Sequence, residues 1–151
     1  MDKVLLLAQL QEKLKAVAQQ ALRFADDARK EAKTGAPRAV NLAAATKQRA
    51  ETALAALDAV SDFVLPGPMK KGQPIGLGSI VEIEDEEGGK TLFVAPAGAG
   101  EELTGPDGDG FLHVVTPGSP MGRALMGKRV GDVLELTLAG EVTEWEVVFA
   151  T

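Results

Sequence analysis

Leu7-Ala8-Gln9-Leu10-Gln11-Glu12-Lys13-Leu14-Lys15-Ala16-Val17-Ala18-Gln19-Gln20-Ala21-Leu22-Arg23-Phe24-Ala25-Asp26-Asp27-Ala28 sets core-type residues at alternating steps of three and four: Leu7, Leu10, Leu14, Val17, Ala21, Phe24 and Ala28. That spacing is the seam of a coiled coil. A second series, Ala43, Thr46, Ala50, Ala53, Leu57, Val60 and Val64, keeps the rhythm with one polar member. Between them lies Thr34-Gly35-Ala36-Pro37, where Gly suits the residue just past a helix end and Pro the first position of the next helix. Two helices of roughly 28 residues are therefore expected to fold back as an antiparallel hairpin ~40 Å long. The same pattern would serve a seam between two chains, but the matched halves and the Gly-Pro turn favour a hairpin within one. Alanine fills much of the second series, so the helices approach closely while burying little area, and the finger is marginal by itself.

Periodicity ends near Leu65-Pro66-Gly67-Pro68, a connector rich in Pro and Gly. Beyond it come short apolar runs at residues 79–83, 91–95 and 111–115, separated by Asp85-Glu86-Glu87-Gly88-Gly89 and by a long turn-like stretch over 96–110. Ser119 can cap a short helix that starts at Pro120 and ends at Gly127. Two more strands follow, residues 133–138 and 142–149, joined by Ala139-Gly140. The expected class is α+β: an N-terminal antiparallel coiled-coil hairpin over 1–65, a linker over 66–73, and a small antiparallel β domain with one short helix over 74–151.

Composition narrows the function. The 151 residues include no cysteine, so disulfides, thiolate metal sites and Cys nucleophiles are excluded. No signal peptide and no apolar run near 18 residues is evident, which makes a cytoplasmic protein without a membrane the expectation. Residues 1–65 hold ten Lys/Arg against eight Asp/Glu, while 66–151 hold six against fourteen, giving the net charge of −6. An acidic chain is a poor match for a phosphate backbone, so a protein partner is expected and sequence-specific nucleic-acid binding is not.

Isolated features read as structural. Asp107-Gly108-Asp109-Gly110 lacks the other ligand positions of a calcium loop and reads as a β-turn. His113, the single histidine, has no second His or Cys to complete a metal site or catalytic pair, and Trp145 is expected to pack into the sheet. No catalytic residue, metal or cofactor is expected.

The run Ser119-Pro120-Met121-Gly122-Arg123-Ala124-Leu125-Met126-Gly127-Lys128-Arg129-Val130-Gly131-Asp132 resembles the Ser-Pro-hydrophobic-Gly-x-Ala-Leu-hydrophobic-Gly-Lys-x-x-Gly-Asp motif of the GreA/GreB transcription elongation factors. The family's domain order, a coiled-coil hairpin and then an FKBP-like domain, is similar too. This resemblance implies a monomer that docks on bacterial RNA polymerase through the C-terminal domain, with Ser119, Pro120 and Met121 as contact candidates, and pushes the hairpin into the secondary channel. In cleavage-competent members the tip carries an Asp-x-x-Glu pair whose carboxylates help hold a second Mg²⁺ and orient a water, so the polymerase cleaves a backtracked transcript. An FKBP-like fold also raises prolyl isomerisation, which needs an aromatic-lined pocket. The C-terminal domain offers only Phe93, Phe111, Trp145 and Phe149, and the chain has no Tyr, so that activity is not expected.

Here Thr34 and Pro37 stand at the Asp and Glu positions of the tip, within the segment Lys33, Thr34, Gly35, Ala36, Pro37 and Arg38. No Asp or Glu occurs from Lys33 to Ala50, and Arg29, Lys30, Lys33 and Arg38 outweigh Glu31 for a net charge of +3 over 29–38. Positive charge opposes a second metal. The expectation is a regulator that does not stimulate cleavage. Two alternatives stand beside it: a cleavage factor using Asp26, Asp27 or Glu31, and a binding module for a protein other than polymerase.

Overall fold

The computed structural model describes residues 2–105 and 110–151. Helix α1 (Lys3–Ala32) opens on Asp2, whose carboxylate accepts hydrogen bonds from the Val4 and Leu5 amides, and α2 (Pro37–Ser61) returns antiparallel to it. The hairpin lies within one chain. Strands β1 (Ile80–Asp85), β2 (Gly88–Val94), β3 (Glu102–Thr104), β4 (Phe111–Val115), β5 (Val133–Leu138) and β6 (Glu141–Ala150) form one six-stranded sheet in the order β3-β4-β2-β1-β6-β5. Helix α3 (Pro120–Leu125) lies between β4 and β5 in the chain. The α+β order, helices first and sheet second, is the one expected.

Two details depart from the sequence reading. The sheet is mixed instead of antiparallel throughout, because β2 and β4 run parallel, with Leu92 opposite His113 and Val94 opposite Val115. A parallel pair needs a crossover. The stretch over 96–110, read as one long turn, supplies it and contains the short strand β3, which pairs antiparallel with β4. The supposed turn at Asp107-Gly108-Asp109-Gly110 falls largely outside the described residues.

The seam of α1 is also shifted. Leu6, Leu10, Leu14 and Ala18 are the buried residues of its first half, at steps of four, whereas Leu7 is half-buried, and Val17 and Phe24 are 45% and 59% exposed. The cause is a second partner: at its base the helix faces the sheet as well as α2. Leu6, Leu10, Leu14 and Val60 pack with Ile80, Phe93, Leu103, Leu112 and Val114 in one apolar cluster. On α2, Thr46, Ala50 and Val60 are buried as the seam predicts, but Val64 lies beyond the helix and is 84% exposed.

Strand alternation divides the sheet between two cores. Phe93, Leu112 and Val114 face the hairpin base, while Leu92, Val94, Val81, Ile83, Leu134, Trp145 and Val147 face the other way and take Leu125 of α3. Three polar contacts fasten the base. The Gln9 amide donates to the Thr104 carbonyl (3.1 Å) and accepts from the Thr104 N–H (2.7 Å), Lys3 Nζ donates to the Thr151 carbonyl (2.8 Å), and Gln11 Nε2 donates to Ser61 Oγ (2.9 Å). Gly98, at φ +93°, lets the β2–β3 connection touch α1, since a Cβ there would stand 2.8 Å from Leu10 Cδ1. Among the described residues no helix is long and apolar enough to cross a membrane.

Candidate functional site

The hairpin's far end is built by three ordinary devices. Helix α1 closes with the Thr34 and Gly35 amides donating to the Glu31 and Ala32 carbonyls (3.1 and 3.0 Å), and the Thr34 hydroxyl also donates to the Glu31 carbonyl (2.9 Å). Gly35 turns the chain at φ +78°, a region that costs other residues. Pro37 then starts α2, whose N-cap, Ala36, has no side chain able to accept from the first amides. Lys33, Thr34, Gly35, Ala36, Pro37 and Arg38 are all exposed, and among the described residues neither Lys33 nor Arg38 has an ion-pair partner.

The acidic residues below the turn divide between two sides of the finger. Asp26 is engaged by Arg29 Nη2 at 2.8 Å and Lys30 Nζ at 3.2 Å. The Lys30 ammonium and then the Arg29 guanidinium, hydrogen-bonded to it, hold its carboxyl below the usual carboxylate range. Asp27 and Glu31, four residues apart, line a different groove with Phe24 and Leu42. Asp27 sits about seven residues, or ~10 Å along the axis, short of the turn. Among the described residues no three His, Cys, Asp or Glu side chains gather in a way that could hold a metal ion.

At the opposite end of the molecule, the run over 119–132 is explained largely by what it holds together. Ser119 Oγ accepts from the Gly122 and Thr116 amides (3.2 and 3.1 Å) and donates to the Thr116 carbonyl (2.9 Å), so its hydroxyl is consumed in capping α3. Gly122 permits no side chain: a Cβ would fall 1.6 Å from the Thr116 carbonyl oxygen. Leu125 is fully buried, and the Gly127 amide and Lys128 carbonyl bond the two backbone groups of Ile75 (3.0 and 2.7 Å). Asp132 accepts from the Arg129 amide (2.9 Å), whose guanidinium donates to the Gly72 carbonyl (2.7 Å). Of the three contact candidates, only Pro120 is exposed. Met121 is half-buried against the core, and Ser119 is half-buried and turned inward.

The family profile described as transcription elongation factor, GreA/GreB, C-terminal, matches residues 70–151. The chain belongs to the GreA/GreB family. Among GreA/GreB relatives, the transcription inhibitor protein Gfh1 of Thermus thermophilus is 34% identical over 110 residues, and that of Thermus aquaticus 37%; each alignment covers 69% of this chain and 66% of the relative. Transcription elongation factor GreA of Verminephrobacter eiseniae is 32% identical over 89 residues, covering 59% of this chain and 52% of that one. The chain thus spans somewhat less than two thirds of the curated relatives it matches. A solved structure of the transcription factor Gfh1 is 28% identical, with 95% of this chain and 92% of that one covered at a TM-score of 0.43.

Within this GreA/GreB chain, other residues fall where the reading put them or close by. Trp145 is buried in the sheet, its Nε1 donating to Thr143 Oγ1 (3.1 Å), with Lys90 Nζ 5.4 Å from the ring centroid. His113 stands on the solvent side of β4, 4.0 Å from the Glu102 carboxylate. Gln9 and Leu6, which set the finger on the sheet, lie outside the heptad seam; the signal for Leu6 is the step of four through Leu6, Leu10, Leu14 and Ala18.

Proposed function

We propose that this chain binds bacterial RNA polymerase as a single copy, places its hairpin in the secondary channel and modulates transcription without stimulating transcript cleavage, having no catalytic centre of its own. One observation carries the reading: the turn presents Lys33 and Arg38 without ion-pair partners among the described residues, and no carboxylate occurs between Lys33 and Ala50. Transcript cleavage of the family's kind needs carboxylates to share a second Mg²⁺, and a cationic tip repels that ion while being drawn to an acid-rich, metal-binding centre. The relatives named as transcription inhibitors support a regulatory role. Work on the polymerase points to the cytoplasm.

Backtracked elongation complexes provide the test. Added protein should leave the transcript length unchanged and slow nucleotide addition, and Lys33→Glu with Arg38→Glu should weaken that slowing several-fold. Shortening of the transcript at a rate comparable to an acid-tipped relative would overturn the proposal. A second reading, cleavage through Asp27 and Glu31, is favoured by their shared exposed face. It predicts cleavage that is lost in Asp27→Asn/Glu31→Gln.

A further inference from the structure

One flank of the hairpin carries a groove of about 420 Å³ between α1 and α2, floored by small residues, Ala21, Ala28 and Thr46. Phe24 and Leu42 stand at its rim, 59% and 48% exposed. A large knob beside a shallow hole on one surface is what an isologous two-fold contact requires, because each copy must offer both.

The charges along the groove are ordered in the same sense. Glu31 and Asp27 lie toward the turn and Arg49 toward the base. Since α1 ends at Ala32 and α2 begins at Pro37, Arg49 sits at the level of Gln20, some 11 residues or roughly 16 Å below Glu31. None of the three has an ion-pair partner among the described residues. Turning a second copy about an axis at the level of Phe24 sets its Arg49 against the Asp27 and Glu31 of the first, and the reverse. The turn of each copy then ends near the level of Lys15 of the other, just above the part of α1 that the sheet covers from Leu14 downward. In that arrangement the +3 tip points toward a C-terminal unit of charge −8.

We propose that two free copies of this chain pair through this groove, antiparallel, with Phe24 seated beside Leu42 of the partner copy and Arg49 facing Asp27 and Glu31. The contact is small, so the pair is weak and reversible, and it excludes the hairpin from any narrow channel while it lasts.

Sedimentation equilibrium of the full chain at low salt, up to about 1 mM, tests this. A monomer–dimer equilibrium is expected that weakens as salt screens the charges. Arg49→Glu and Phe24→Ser should each weaken it at least about tenfold. The pairing also predicts that an Arg49→Glu chain mixed with an Asp27→Lys/Glu31→Lys chain forms a mixed dimer tighter than either forms alone. Circular dichroism of each variant checks that the hairpin persists. A chain monomeric throughout that range, or a dimer whose strength neither Arg49→Glu nor Phe24→Ser alters, would overturn the proposal.

Discussion

The two halves of the hairpin share one spacing and differ in what fills it. Near the base, Leu6, Leu10, Leu14 and Val60 are buried in a core that continues into the sheet. Above Leu14, only Ala18, Ala28, Thr46 and Ala50 are buried. Periodicity sets the path of a helix pair, but residue size sets how firmly it is held. The lower half is an anchored element of the β unit, whereas the upper half is a slim pair of helices with little apolar area to lock it.

The sharpest way to break that contrast is to truncate a base leucine. Leu10→Ala removes a fully buried side chain packed against Gly98 and is expected to cost about 2–5 kcal/mol in chemical denaturation, melting helix and sheet signals together. Phe24→Ala, on the exposed flank of the upper half, should cost under about 1 kcal/mol. Equal costs for the two would erase the distinction. Next in size, Gly35→Ala should lose about 1 kcal/mol through the +78° φ alone, since open space surrounds that position. Native-state hydrogen exchange should show protection falling from Leu14 toward Ala32 and rising again from Pro37 toward Val60. A flat profile would mean that the alanine seam holds as well as the leucine one.

The smallest effect expected is electrostatic. The folded-state carboxyl of Asp26 titrates below its ordinary value of 3.8, so its contacts with Lys30 and Arg29 support the upper hairpin above that pH and are lost as pH falls through the lowered value. Carboxyl NMR should place the Asp26 midpoint lower in the native chain than in Lys30→Ala.

Much of this was legible beforehand. Spacing and the Gly-Pro turn place both hairpin helices, and alternation with glycine breaks places five of the six strands among the described residues. The three residues of β3 gave too short a pattern to read against a glycine-rich stretch, and the parallel β2–β4 pair depends on a crossover that local sequence does not encode. A heptad assumes one facing partner and so points to Leu7, whereas α1 has two partners and buries Leu6. At the tip, missing carboxylates were visible directly. At the other end, the resemblance makes Ser119 a contact candidate, while the structure shows its hydroxyl occupied in capping α3.

Gln9 gives one helix side chain the work of a neighbouring strand. By both donating to and accepting from Thr104, its amide occupies backbone groups on β3, the outermost strand on that side of the sheet. Bare outer strands recruit strands from other molecules. Lifting the hairpin off its seat would therefore bare the Thr104 N–H and carbonyl, the groups through which an approaching strand would pair.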